Sequence, residues 1–133
     1  MNGEAAGRFD VTLAAQPADA RELGAAIGRM LLDKQFHGPL NARSQGQMLA
    51  FRSPVEGSAG YVAMELVSGT LDGRSGSFVL QHSGTRDRGA MALDLQVVAD
   101  SGIGELTGLR GRMQIDIRDG AHYYHFAYLL PEP

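Results

Sequence analysis

The sequence contains no cysteine and no tryptophan, and only five of its 133 residues are proline. The lack of cysteine excludes disulfides, thiolate nucleophiles, iron–sulfur clusters and cysteine-ligated zinc. A basic stripe is also missing, since 12 Lys and Arg stand against 15 Asp and Glu, so we expect no nucleic-acid partner. No apolar run approaches the ~18 residues of a membrane span, and residues 1–9 do not resemble a signal peptide. We therefore expect a cytoplasmic protein that does not engage membranes.

Glycine, by contrast, is abundant. The chain has 18 glycines, about one residue in seven, against a usual share of ~7%. Because 44% of the residues are hydrophobic, the composition is that of a globular protein in which glycines separate many short elements. The length predicts one domain over residues 1–133, with residues 1–6 as a flexible N-terminal tail.

Alternation of apolar and polar residues dominates the chain and predicts strands with one buried face. It is clearest at residues 8–13, 60–70, 90–99 and 112–118, and weaker at 40–44. Asp72-Gly73 and Asp119-Gly120 favour hairpin turns, whereas residues 18–26 fit a short helix or a loop. About eight strands joined by short turns predict an all-β fold, either a closed antiparallel barrel or a two-sheet sandwich.

A family resemblance favours the barrel. Residues 69–85, GTLDGRSGSFVLQHSGT, together with matches at 33–38, 101–111 and 122–128, resemble a bacterial family of unknown function with an allene oxide cyclase-like β-barrel. The resemblance covers residues 7–131 and implies a single closed antiparallel barrel, without an established activity. Allene oxide cyclases rearrange a fatty-acid epoxide inside their barrel. The residue motif of those plant enzymes is missing here, so the resemblance does not imply that chemistry.

Three ionisable residues interrupt apolar strand faces. Lys34 lies between Leu32 and Phe36, Glu65 alternates with apolar residues, and His82 continues an apolar face. Because an unpaired buried charge is costly, we predict that Lys34, Glu65 and His82 pair inside the barrel. The cluster would either bind a ligand, as an anchor or an acid/base pair, or serve as an ion pair that fixes strand register. A bulge in the strand would reverse the faces and expose Glu65.

The C-terminal segment carries two further candidates. Tyr124 and Tyr128 share a strand face, so we predict that they point inward, fill the core and contribute to the lining of the ligand site. His122 and His125 fall on opposite faces of the same strand, and no carboxylate pattern lies nearby, so we expect no metal site. We expect these two residues and His37 to be surface histidines near the barrel rim. Gly102-Ile103-Gly104 predicts a tight turn, since neither a lysine nor a helix start follows to hold a phosphate. No sequence motif indicates a cofactor, so we expect none.

These observations leave three classes of function. The first is a barrel that binds a small hydrophobic or acidic ligand in its interior. The second is an enzyme of the isomerase or cyclase type acting on a hydrophobic substrate, although the catalytic residues are unknown because no catalytic motif is present. The third is a solid barrel that acts as an interaction module, in which outward-facing Leu31, Val79 and Val98 form the seam of a homodimer.

Overall fold

The computed structural model describes residues 2–17 and 27–132. This part of the chain contains nine strands. In chain order they are β1 (Asn2–Ala15), β2 (Gly28–Phe36), β3 (Leu40–Arg52), β4 (Ala59–Leu71), β5 (Arg74–Asp87), β6 (Ala90–Val97), β7 (Ile103–Gly104), β8 (Arg110–Arg118) and β9 (Ala121–Leu129). The helix or loop predicted near residues 18–26 lies outside the described residues.

Eight of the strands form a closed antiparallel barrel. The order around the barrel is β1-β2-β3-β4-β5-β6-β8-β9, and β9 pairs with β1 to close it. The short β7 is an additional strand that pairs with β5. Helices are absent from the described part of the chain, which therefore has no helix able to cross a membrane. The predicted all-β barrel is confirmed, and the two-sheet sandwich is not what forms.

Two-residue turns join several neighbouring strands. Asp72 and Gly73 have φ values of 48° and 82°, and Asp119 and Gly120 have 50° and 78°. Positive φ at both central residues suits the right-handed twist of a hairpin and explains the Asp-Gly pairs. The hairpins predicted at these two places are confirmed.

The structure differs from the sequence prediction in the strand bounds. Residues 2–6, predicted as a flexible tail, lie in β1 and pair with 125–129 of β9. The alternation begins too weakly there, among glycine and alanine, to signal a strand. Residues 40–52 form one strand that continues through Gly46, where an added Cβ would meet the backbone of β4. Ile103 and Gly104, predicted as a turn, form β7.

One end of the barrel, here the closed end, is densely packed. The strand ends bring Leu40, Leu71 and Leu130 together there, and the segment between β7 and β8 adds Leu106 and Leu109; all five are buried. The core above them is apolar and largely aromatic, and its members include Phe9, Phe36, Phe78, Tyr124, Phe126 and Tyr128.

At the opposite end, here the mouth, inward-facing side chains of the described residues are exposed. Met91 and Leu93 of β6 and Ile117 of β8 lie in the inward-facing series of their strands, yet they are exposed. These side chains are exposed because β6 and β8 separate. Among the described residues, the two strands pair at two positions only, Leu95 with Met113 and Gln96 with Arg112. Residues 90–94 and 114–118, nearer the mouth, therefore do not pair across the seam. The barrel wall opens at this point.

Candidate functional site

A cluster of charged side chains lies inside the barrel, between the core and the mouth. Glu65 Oε2 lies 2.9 Å from Lys34 Nζ and 2.9 Å from His82 Nε2. The exposed fractions are 5% for Lys34, 1% for Glu65 and 4% for His82. The predicted pairing of these residues is confirmed, and the alternative in which Glu65 faces solvent is wrong.

Strand register brings the three residues together. Lys34 of β2 pairs with Ser44 of β3, and Ala63 of β4 pairs with His82 of β5. Glu65 is two residues beyond Ala63, on the same face of β4. This places its carboxylate between its two partners. Ser44 donates a hydrogen bond from Oγ to Glu65 Oε1 at 3.3 Å, a contact the weak sequence pattern at 40–44 did not reveal.

The cluster is held by charge more than by directed hydrogen bonds. Although Glu65 Oε2 and His82 Nε2 are 2.9 Å apart, the angles do not make a hydrogen bond, and neither atom completes one elsewhere among the described residues. Lys34 Nζ also lies 5.2 Å from the centroid of the Phe9 ring and 5.8 Å from that of Phe36. Aromatic faces stabilise a desolvated ammonium group, so Lys34 has both an anionic and an aromatic environment.

The surroundings keep Glu65 ionised. Burial raises the pKa of Glu65, but contact with His82 and the positive charge of Lys34 outweigh burial and hold that pKa below its ordinary value. An ionised carboxylate beside a lysine ammonium makes the pair neutral in sum. The cluster therefore offers a polar site without a surplus of negative charge.

Tyr61 extends the cluster toward the mouth. Its hydroxyl lies 3.5 Å from His82 Nδ1, on the side of the ring opposite Glu65, and its side chain is half-buried. Burial, followed by the charge of Glu65, raises the pKa of Tyr61 to about 12. The phenol is therefore neutral at physiological pH.

Sequence reasoning did not select Tyr61, although it shares the strand face of Glu65. Gly84 leaves space for the Tyr61 ring, because a Cβ added to Gly84 would collide with the Tyr61 side chain. The alternation pattern predicts that Tyr61 faces inward, but it does not predict the contact of Tyr61 with His82 on the neighbouring strand. A glycine opposite an inward-facing aromatic residue is the only signal in the sequence.

Tyr124 and Tyr128 point inward, as predicted, but lie in the core. The Tyr124 hydroxyl donates to the His37 carbonyl at 2.7 Å and accepts from the Leu40 N–H at 3.1 Å. The Tyr128 hydroxyl donates to Asp72 Oδ2. Burial, then the hydrogen bond and charge of Asp72, raise the pKa of Tyr128 to about 12. These hydroxyls join strands and turns, and the structure does not bring them to the charged cluster.

The remaining histidines do not converge. His37 pairs with Asp10 at 2.9 Å on the surface, and His125 lies 3.6 Å from Glu4. His122, expected at the surface, instead faces inward near the mouth and packs on Phe9 with ring centroids 5.2 Å apart. Across the described ranges, no three His, Asp or Glu side chains are grouped so as to hold a metal ion.

Fold and site together define a small antiparallel β-barrel with a buried ionic cluster beneath an open mouth. A family model described as "Protein of unknown function (DUF3224)" matches residues 5–128, so the chain belongs to this family. A crystal structure of a DUF3224 protein of unknown function from Shewanella oneidensis MR-1 is similar over 100% of both chains, with 49% identity and a TM-score of 0.91. No curated protein matches the chain. The allene oxide cyclase part of the resemblance is not confirmed by these comparisons.

Proposed function

We propose that the barrel binds a small, largely apolar molecule at its mouth, with a neutral polar group of that molecule facing Tyr61. The observation that carries this proposal is the inward-facing apolar surface left exposed where β6 and β8 separate. Met91, Leu93 and Ile117 lie there. The mouths of β-barrels, lined by apolar side chains with a few polar groups, are a usual place for ligand sites.

The packing of the barrel favours the mouth, rather than the deeper interior, as the place where a ligand binds. Beside and below the charged cluster the core is filled by buried side chains. They include Leu80, which pairs with Glu65, Leu95, which pairs with His82, and Phe126. Lys34, Glu65 and His82 are themselves almost completely buried. A ligand that reached them would have to displace packed side chains, whereas the half-buried Tyr61 hydroxyl is within reach from the mouth.

The charges of the site favour a neutral ligand over an acid. Lys34 is the cation of the cluster, and its charge is already matched by Glu65 at 2.9 Å. A bound carboxylate would therefore compete with Glu65 for Lys34 in a desolvated setting, which is costly. The neutral Tyr61 hydroxyl can donate to a carbonyl or accept from a hydroxyl, so an alcohol, ketone or amide with an apolar body fits the site.

A second candidate function is acid/base catalysis on such a ligand. The supporting observation is the sequence of contacts from Glu65 to His82 Nε2 and from His82 Nδ1 to the Tyr61 hydroxyl. A carboxylate that orients a histidine, which in turn contacts a hydroxyl, is an arrangement used to move protons. Isomerisation is the reaction class that needs only such proton transfers.

The binding proposal is tested with N-phenyl-1-naphthylamine, an uncharged fluorescent apolar probe, followed by displacement with 1-decanol and with decanoate. We expect saturable binding of one probe per chain and stronger displacement by decanol than by decanoate. Ile117→Asp should weaken probe binding at least about tenfold, a loss of ~1.4 kcal/mol. Ile117 is 60% exposed, so the substitution should leave the fold intact.

Two matched variants locate the probe. Leu129→Asp alters an equally exposed residue that faces outward on β9, and Leu66→Asp does so on β4. Both should bind the probe as the unchanged protein does. Loss of binding in Leu66→Asp with retention in Ile117→Asp would contradict the mouth proposal. Tyr61→Phe should preserve probe binding and weaken displacement by decanol to that of decane, which has no hydroxyl to face Tyr61.

A further inference from the structure

The outside of the barrel carries an apolar surface that the mouth does not explain. Five outward-facing side chains form it, here called the outer patch: Leu31, Leu49, Val62, Met64 and Leu66. Their exposed fractions lie between 42% and 53%. We propose that the outer patch is the interface of a homodimer, in which the same face of a second copy packs against it.

Strand register makes the outer patch continuous. Leu49 of β3 pairs directly with Val62 of β4, and Met64 and Leu66 follow Val62 on the same face. Leu31 of β2 pairs with Gln47, which itself pairs with Met64. Side chains opposite one another on adjacent strands lie within contact distance. The five residues therefore form one surface rather than scattered exposed side chains.

The size of the outer patch fits the core of an interface. Three strands ~4.8 Å apart and five residue positions at ~3.3 Å each give it a footprint on the order of 240 Å². Apolar patches of this extent also occur on monomers, where they often mark a functional surface. A standard interface buries about 800 Å² per partner, a little over half of it apolar. The outer patch thus supplies the apolar centre, and its polar surroundings supply the rim.

The rim favours a second copy of the chain as the occupant. Gln45, Gln47, Gln81 and Ser83 adjoin the patch on the outward faces of β3 and β5, and all are uncharged. Beyond them, Arg43 and Asp33 neutralise one another at 2.8 Å. Arg29 is a charged side chain that adjoins the patch, beside Leu49, and it donates to Gln47 Oε1 at 3.3 Å. Two copies of a chain with net charge −3 would repel elsewhere, but this face brings no unpaired carboxylates together. A two-fold contact requires such self-complementarity.

Sedimentation equilibrium of the full chain over a wide concentration range tests the proposal. We expect a reversible monomer–dimer equilibrium that Leu66→Lys weakens at least about tenfold. Leu129→Lys is the matched control, because Leu129 is 50% exposed and Leu66 51%, and β9 lies across the barrel from β4. This control should dimerise as the unchanged protein does. Circular dichroism confirms that both variants fold, and Val62→Lys replaces Leu66→Lys if the latter does not.

A monomer at every concentration, or equal effects of Leu66→Lys and Leu129→Lys, would overturn the proposal. Co-sedimentation of that monomer with phosphatidylcholine vesicles, abolished by Leu66→Lys, would assign the patch to lipid instead. A second measurement uses the lack of native cysteine. Met64→Cys should form an oxidised dimer much faster than Leu129→Cys, and equal rates would contradict a two-fold contact near Met64. Neither result depends on whether the mouth binds a ligand.

Discussion

Glu65 Oε2 lies 2.9 Å from Lys34 Nζ inside the barrel, and neither residue is more than 5% exposed. Burying such an ion pair costs desolvation free energy, and removing one partner costs more, because the remaining charge is then buried without a counter-ion. Four experimental consequences follow from this contact and from other buried contacts inside the barrel.

Removal of one charge of the pair should destabilise the protein strongly. Lys34→Met leaves the Glu65 carboxylate buried without its cation, and we expect the free energy of unfolding to fall by about 3–5 kcal/mol. Urea denaturation at neutral pH measures this. Arg43→Met breaks the exposed pair with Asp33 and should cost less than ~1 kcal/mol. The double variant Lys34→Met/Glu65→Leu should recover most of the loss; equal losses in the single and double variants would contradict this account.

Acid should remove the contribution of Glu65 selectively. Because the pKa of Glu65 is lowered in the folded state, the unfolded chain takes up its proton at a higher pH than the folded chain. The associated stability is therefore complete above about pH 4.5 and is lost as pH falls through the folded-state value. The stability difference between the unchanged protein and Glu65→Gln should be largest near neutral pH and shrink in acid. A difference that does not change with pH would contradict this account, because it would show that Glu65 has the same pKa in the folded and unfolded states.

Gly84 should be required for the position of Tyr61. Gly84→Ala introduces a Cβ that overlaps the Tyr61 ring, so the ring must move away from His82. We expect a loss of about 1–3 kcal/mol and a fall in the pKa of Tyr61 from about 12. Tyrosinate absorbance during an alkaline titration reports the second effect. Gly60→Ala is the control, because its Cβ meets only the Gly84 carbonyl oxygen at 3.9 Å. Identical titrations in the two variants would argue against the contact.

The Tyr124 hydroxyl should stabilise the turn between β2 and β3. Tyr124→Phe leaves the N–H of buried Leu40 without its acceptor and removes the hydrogen bond to the His37 carbonyl. An unsatisfied buried group costs about 1–3 kcal/mol, which thermal unfolding would detect. Tyr123→Phe alters the neighbouring, outward-facing residue, whose ring lies under Arg118, and should be nearly neutral. If both variants unfold at the same temperature, the Tyr124 hydroxyl has no such role.

Much of the site was accessible to sequence reasoning because strands alternate strictly. Lys34, Glu65 and His82 each interrupt an apolar face, and a buried charge requires a partner, so their pairing could be predicted before their distances were known. Tyr61 and Ser44 were not selected because both depend on which strands are neighbours. Tyr124 and Tyr128 were correctly oriented, but orientation does not specify depth along the barrel axis, and both lie in the core.

The amino-acid sequence alone determined that the chain forms antiparallel strands with defined inner and outer faces, since side-chain direction in a strand has a period of two residues and Asp-Gly pairs favour hairpin turns. Only the tertiary structure decided where the barrel is filled and where it is open. The separation of β6 from β8 beyond Leu95 and Met113 exposes Leu93 and Ile117, although both belong to inward-facing series. Pairing across that seam depends on how eight tilted strands close into a cylinder, and local alternation carries no information about closure.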